Sequence, residues 1–121
     1  MTDKLELYFK AAQSAKIGIW KLDLHTNHVF WDTVTKSILE VSEDFEPILS
    51  SAISFYTEGE NRDRIQSHID VAISKGIPFD DKFQITTAKN NIKYIECICL
   101  VEMIDGKPVH LLGTFQDITN E

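Results

Sequence analysis

The side chains best suited to chemistry in this chain are two cysteines, four histidines and a surplus of carboxylates. Cys97 and Cys99 stand two apart in "YIECICLVE". On a strand such residues share a face about 6.6–7 Å apart. Their Cβ vectors are then nearly parallel, so a disulfide between them would be strained. Two thiols without a second ligand pair also fall short of a zinc site. Small buried thiols in a reducing compartment are the simpler reading. His68 lies in a helical pattern, whereas His25, His28 and His110 fall in a turn or on strands and form no ligand spacing, so no metal is expected. Asp80-Asp81 and Glu43-Asp44 read as solvated turns rather than an acid–base pair. There is no glycine-rich phosphate loop, kinase motif or nucleophile motif. The domain is therefore expected to bind or regulate rather than catalyse.

Composition narrows this further. A chain of 121 residues suits one domain with a single sizeable core. At 43% hydrophobic and 26% charged it has the balance of a globular protein. Its net charge of −7 speaks against nucleic acid or an anionic membrane surface as a partner. No apolar run approaches the roughly 18–20 residues of a membrane span, and the charged N-terminus has no signal-peptide stretch. A cytoplasmic location is expected, with no direct membrane contact.

These side chains need elements to position them. Leu5, Tyr8, Phe9 and Ala12 form one stripe of a helix over 3–15. "IGIWKLDL" (17–24) and "HVFW" (28–31) read as a hairpin turned by "HTN". Asp32 caps a short helix, "TVTKSILEV". Residues 42–60 carry Pro47 and scattered apolar residues, Ile53, Phe55 and Tyr56 among them, and suggest one or two helical turns. Asn61 opens the clearest helix, with Ile65, Ile69, Ala72 and Ile73 as its stripe, and Gly76 and Pro78 mark its end. Strands follow at 79–87, 92–104 and 108–119, the last two joined by the hairpin signal "DGK". Helix, hairpin, helices and a three-strand meander make an α+β layout: one five-stranded antiparallel sheet with helices on one face.

Four stretches in this order resemble a PAS domain, a module common in bacterial sensor proteins. They are "GIWKLDLHTNHVFW", "FYTEGENRDRIQSHIDVAISKGIPF", "FDDKFQI" with "IKYIEC", and "DGKPVHLLGTFQDIT". The resemblance spans residues 17–119. It implies an N-terminal flanking helix (1–16) and a PAS sensor domain (17–121). It also implies a module from a longer signalling protein, whose last strand leads into an effector such as a histidine kinase or a GGDEF-type diguanylate cyclase. Asp117, Ile118 and Thr119 match the family's signature at that exit and are the expected signal-coupling residues, with Lys21 a candidate partner for Asp117.

In this family the sheet and helices enclose a small cavity, and the cofactor-contacting position of the last strand falls on Phe115. Strand alternation then turns Leu111, Gly113 and Phe115 inward, together with Ile95, Cys97 and Cys99. Ile65, Ile69 and Ile73 close the space from the long helix, and Trp20, Leu22 and Trp31 add to the core. The inner face is apolar, so it holds either a filled core or a pocket for a small apolar ligand. The resemblance disfavours two known cofactors. The flavin photosensors' Asn-Cys-Arg-Phe-Leu-Gln type motif is absent, and Phe115 stands at their glutamine position. The haem-ligand position aligns with Ile65, not with His68, which reads as solvent-facing. A homodimer is expected, with Leu5, Tyr8, Phe9 and Ala12 packing on a twin helix or on the sheet. The alternative is a ligand-free structural dimerisation module.

Overall fold

A computed structural model describes residues 2–121, and the side chains of all of these except Thr2, Asp3, Leu5 and Phe9. Leu5 and Phe9, half of the expected dimerisation stripe, therefore lie outside the described residues. The elements are α1 (Thr2–Ser14), β1 (Ile17–Asp23), β2 (Val29–Trp31), α2 (Thr33–Leu39), α3 (Leu49–Ser54), α4 (Glu60–Lys75), β3 (Phe79–Thr86), β4 (Ile92–Ile104) and β5 (Lys107–Asp117). They match the expected order.

Local chemistry explains the punctuation. Asp32 accepts the Thr35 amide at 2.9 Å and so caps α2. Asp23 Oδ1 accepts the amides of His25 and Thr26, which folds the β1–β2 turn. Asp105 and Gly106 both adopt positive φ, 52° and 76°, as a two-residue turn of the twist-matched kind requires. Residues 42–60, which lack a clear period, resolve into α3 and two flanking loops.

The sheet order is β2-β1-β5-β4-β3, antiparallel throughout. The last strand in sequence is thus the middle strand in space. Trp20, Leu22, Val29, Trp31, Phe83, Ile85, Ile95, Cys97, Cys99, Leu111 and Phe115 are all buried on one face. α2 and α4 cover that face with Thr35, Ile38, Leu39, Ile65, Ile69 and Ala72. The opposite face leaves Phe30, Tyr94, Leu100 and Leu112 exposed. Tyr8 is exposed on α1 and Ala12 is half-buried.

A close approach sets the spacing of the layers. A Cβ on Gly18 would lie 2.1 Å from Thr35 Oγ1, so glycine lets α2 sit directly on β1. Thr35 uses that position to donate its hydroxyl to the Ile19 carbonyl at 3.2 Å.

Asp80 and Asp81 correct an expectation. They lie in β3, not in a turn. Asp81 projects toward α4 and binds Arg64 at 2.5 Å and His68 at 3.0 Å. Burial raises its pKa, but these partners outweigh that and hold the carboxyl below its usual range. A carboxylate that reads as solvated in the sequence is thus paired across the fold.

Candidate ligand cavity and exit strand

Between the inner sheet face and the helices lies a cavity of about 60 Å³. The sheet contributes Trp20, Leu22, Val29, Trp31, Cys97 and Phe115 to its wall, and α4 contributes Ile65 and Ile69. Thr35 and Leu39 come from α2, Leu49, Ala52 and Ile53 from α3, and Tyr56 from the strand-like bridge that follows. Among the described residues no charged side chain lines it.

Four of the nine expected pocket residues line this cavity: Ile65, Ile69, Cys97 and Phe115. Ile95, Cys99 and Leu111 are buried on the same face but pack into solid core beside it. Ile73 is only partly buried, at the edge of the core. Gly113 does not face the cavity at all. A Cβ there would fall 1.7 Å from the Ile98 carbonyl oxygen, because β4 occupies the space where a side chain would stand. For the three buried strand residues, Ile95, Cys99 and Leu111, the physical reason is the same. Alternation says which face a residue is on, not whether helices fill the space above it.

Sequence reasoning missed Tyr56 and the α3 residues as wall. Their stretch has no long period, so nothing in it points a side chain inward. Tyr56 is fixed by edge-on aromatic contacts with Phe83 (5.1 Å between centroids) and Phe115 (6.5 Å). Thr57 and Phe55 bond across to Gln84 and Thr86 of β3, which anchors the segment at that edge. Arg62 also binds the Tyr56 carbonyl at 3.1 Å and the Ser54 carbonyl at 2.9 Å, tying the end of α3 to α4.

His68 is not simply solvent-facing. It is half-buried, stacked on Phe79 at 4.5 Å and bonded to Asp81. It lies off the buried stripe of α4 and does not line the cavity. Ile65 does line it.

The cysteines are free and buried. Burial pushes both thiols up to about 12. They stay protonated at neutral pH, which makes them poor nucleophiles. At about pH 8 the folded protein should resist iodoacetamide, and the denatured protein should react fully. Rapid labelling of the folded chain would show that the thiols are reachable. Their protons also bear on stability. Thiols favoured as neutral in the fold support it fully below the ordinary value of 9.0, and this support is lost as pH rises toward 12. Cys97→Ala should therefore flatten the alkaline fall in stability over that window.

At the end of β5, Asp117 Oδ1 accepts the Thr119 amide at 2.9 Å and also the Thr119 hydroxyl. Thr119 Oγ1 in turn accepts the Tyr94 amide at 3.1 Å, and the Ile118 amide donates to the Tyr94 carbonyl at 2.8 Å. The chain's exit is thereby sewn to β4. The nearby cation is Lys93, 4.0 Å from Asp117 Oδ2. Lys21 is not the partner. It lies opposite Leu112, five residues along β5 from Asp117 and so about 17 Å away.

No protein-family model matches the chain. It is 28% identical over 106 residues to the sensor protein FixL of Bradyrhizobium diazoefficiens, a match that covers 87% of this chain and 21% of FixL. The chain thus spans about a fifth of the length of that relative. Among solved structures it is similar to the N-terminal domain of a diguanylate cyclase with PAS/PAC sensor from Marinobacter aquaeolei. There the TM-score is 0.77 at 13% identity, covering 85% of this chain and 95% of the other. It is also similar to the PAS domain of a protein from Colwellia psychrerythraea, with TM-score 0.72 and 19% identity over 97% of this chain and 98% of that one. A Rhodobacter sphaeroides LOV protein gives TM-score 0.69 at 11% identity, over 87% of this chain and 61% of the other. The fold is that of the PAS domains: an α+β module with a five-stranded antiparallel sheet and a helical cover. Its relatives are sensory, FixL and the PAS/PAC domain of the diguanylate cyclase among them. Among the described residues no helix is long and apolar enough to cross a membrane.

Proposed function

We propose that this chain is a sensory, regulatory module that takes a small molecule into its cavity and relays the event through β5 to an effector in a longer protein. The observation that carries this is the position of β5. It runs through the middle of the sheet, puts Phe115 on the cavity wall and, two residues later, Asp117 at the bonded exit. A change at the cavity therefore needs to travel only about 7 Å along one strand to reach the end of the fold. The effector is of the kind attached to its relatives, a histidine kinase or a diguanylate cyclase. The domain itself is not catalytic, acts in the cytoplasm as part of a two-component or cyclic-dinucleotide system, and has no nucleic-acid partner. A cavity of about 60 Å³ favours a small ligand over flavin or haem.

The module pairs with a second copy. The exposed Phe30, Tyr94, Leu100 and Leu112 on the outer sheet face, with Leu7 and Tyr8 on α1, support this. Leu5, Tyr8, Phe9 and Ala12 remain the proposed contacts of α1. The smallness of the cavity favours a second reading, a dimerisation module without a ligand. Native mass spectrometry of the protein as purified separates the two. A retained small molecule supports the sensor, while a bare dimer that takes up nothing from a metabolite extract supports the scaffold.

Asp117→Ala should cost at most about 1 kcal/mol of stability, because the bonds it removes are at the surface. It should nevertheless uncouple input from output in the longer protein. A mutant that signals like the wild type would put the relay elsewhere.

A further inference from the structure

The cavity wall carries few polar groups, and most are already committed. Thr35 donates to the Ile19 carbonyl at 3.2 Å, and Trp20 Nε1 donates to the Thr114 carbonyl at 3.2 Å. Tyr56 is different. Its side chain is more than nine-tenths buried and lines the cavity. Its hydroxyl makes no hydrogen bond to a nitrogen or oxygen among the described residues. Its partner within the fold is the Cys97 thiol, which makes only a weak hydrogen bond. A buried phenol usually finds a partner, because leaving its hydroxyl unpaired is costly. Tyr56 and its weak partner Cys97 both line the cavity, which offers room for a stronger one.

On the reading that this domain binds a small molecule, we propose that the ligand is not a plain hydrocarbon but a small uncharged molecule with one oxygen acceptor, held by the Tyr56 hydroxyl. A short ketone, aldehyde or alcohol has the right chemistry. Charge is excluded because, among the described residues, no cationic or anionic group lines the wall to replace lost hydration. Size follows from the volume. About 60 Å³ lies between the roughly 10–15 Å³ that admits one water and the roughly 150 Å³ that admits benzene. That leaves room for about four or five non-hydrogen atoms. The phenol would donate to the ligand's oxygen, the Cys97 thiol would border the same corner, and Trp31, Ile65 and Ile69 would surround the alkyl part.

Acetone, isobutene and acetate test this directly, since they share size and planarity and differ in the oxygen and the charge. Binding is read by NMR titration of the whole domain, following the amides of β4, β5 and α4. Acetone should shift cavity resonances saturably, isobutene more weakly, and acetate not at all. Tyr56→Phe should weaken acetone about fivefold to tenfold and leave isobutene unchanged. Because the bond it loses within the protein is the weak one to the Cys97 thiol, this variant should fold like the wild type, which its spectrum would report. Ala52→Leu, which fills the cavity from α3, should abolish both. Equal binding of acetone and isobutene, untouched by Tyr56→Phe, would overturn the oxygen assignment while leaving a ligand-binding cavity. Tighter binding of acetate than of acetone would overturn the exclusion of charge. If none of the three binds, and Ala52→Leu changes nothing, the ligand-binding function itself fails.

Discussion

Gly113→Ala should destabilise the domain by about 3 kcal/mol or more, although it adds only one methyl group. The methyl would stand 1.7 Å from the Ile98 carbonyl oxygen, 2.7 Å from its carbon and 3.2 Å from Cys99 Cα. All three are backbone atoms, so no side chain can swing aside. Relief requires parting β5 from β4, the longest ladder of the sheet, at the point where Gly113 pairs with Cys99. The cost is one of close approach, not of left-handed backbone geometry. A larger residue makes it worse, so Gly113→Leu should exceed the Ala variant. Urea unfolding checks the size of the effect, and a loss below about 0.5 kcal/mol would mean that the strands have room to spare. Because β5 also carries Phe115 and Asp117, any variant that still folds should show disturbed amides at both.

Trp31→Ala has the other large expected effect, about 3–5 kcal/mol. Trp31 is 8% exposed. Its ring stacks on Phe45 at 5.6 Å and meets Phe55 at 5.9 Å, and Phe45 and Phe55 meet each other edge-on at 6.0 Å. This trio fastens a three-residue edge strand to the loops on either side of α3. Removing its centre should lower the melting temperature by roughly 10–20 °C. Amide exchange between residues 45 and 55 should rise most, because Phe45 and Phe55 at its two ends both lose their ring partner. The change also opens space. With the indole gone the cavity grows well beyond 60 Å³, and benzene should raise the melting temperature of the variant but not of the wild type. A variant that loses stability but takes no benzene would mean that α3 collapses into the gap.

The elements and their faces follow from the order of residues alone. Alternation along "IECIC" and "LLGTF", the Ile65–Ile69–Ala72 stripe and the "DG" turn each carry their information locally, within one turn of helix or a few residues of strand. That is why element order, strand count and inner face are legible in the chain itself. The four matched stretches are enough to name the PAS fold. What depends on distance between segments far apart in the chain is decided by packing. Whether an inward residue meets space or another side chain is such a question: Cys97 borders the cavity and Cys99, two residues on, does not. So are the pairing of Asp117 with Lys93 rather than Lys21, the seizure of Asp81 by α4, and the clash that makes residue 113 a glycine. Tyr56 is the clearest case. It comes from a stretch with no period to read, and its position follows from a bridge to β3 and two aromatic contacts. A side chain's direction is encoded locally, but the presence of a partner at its end is settled only when the layers close.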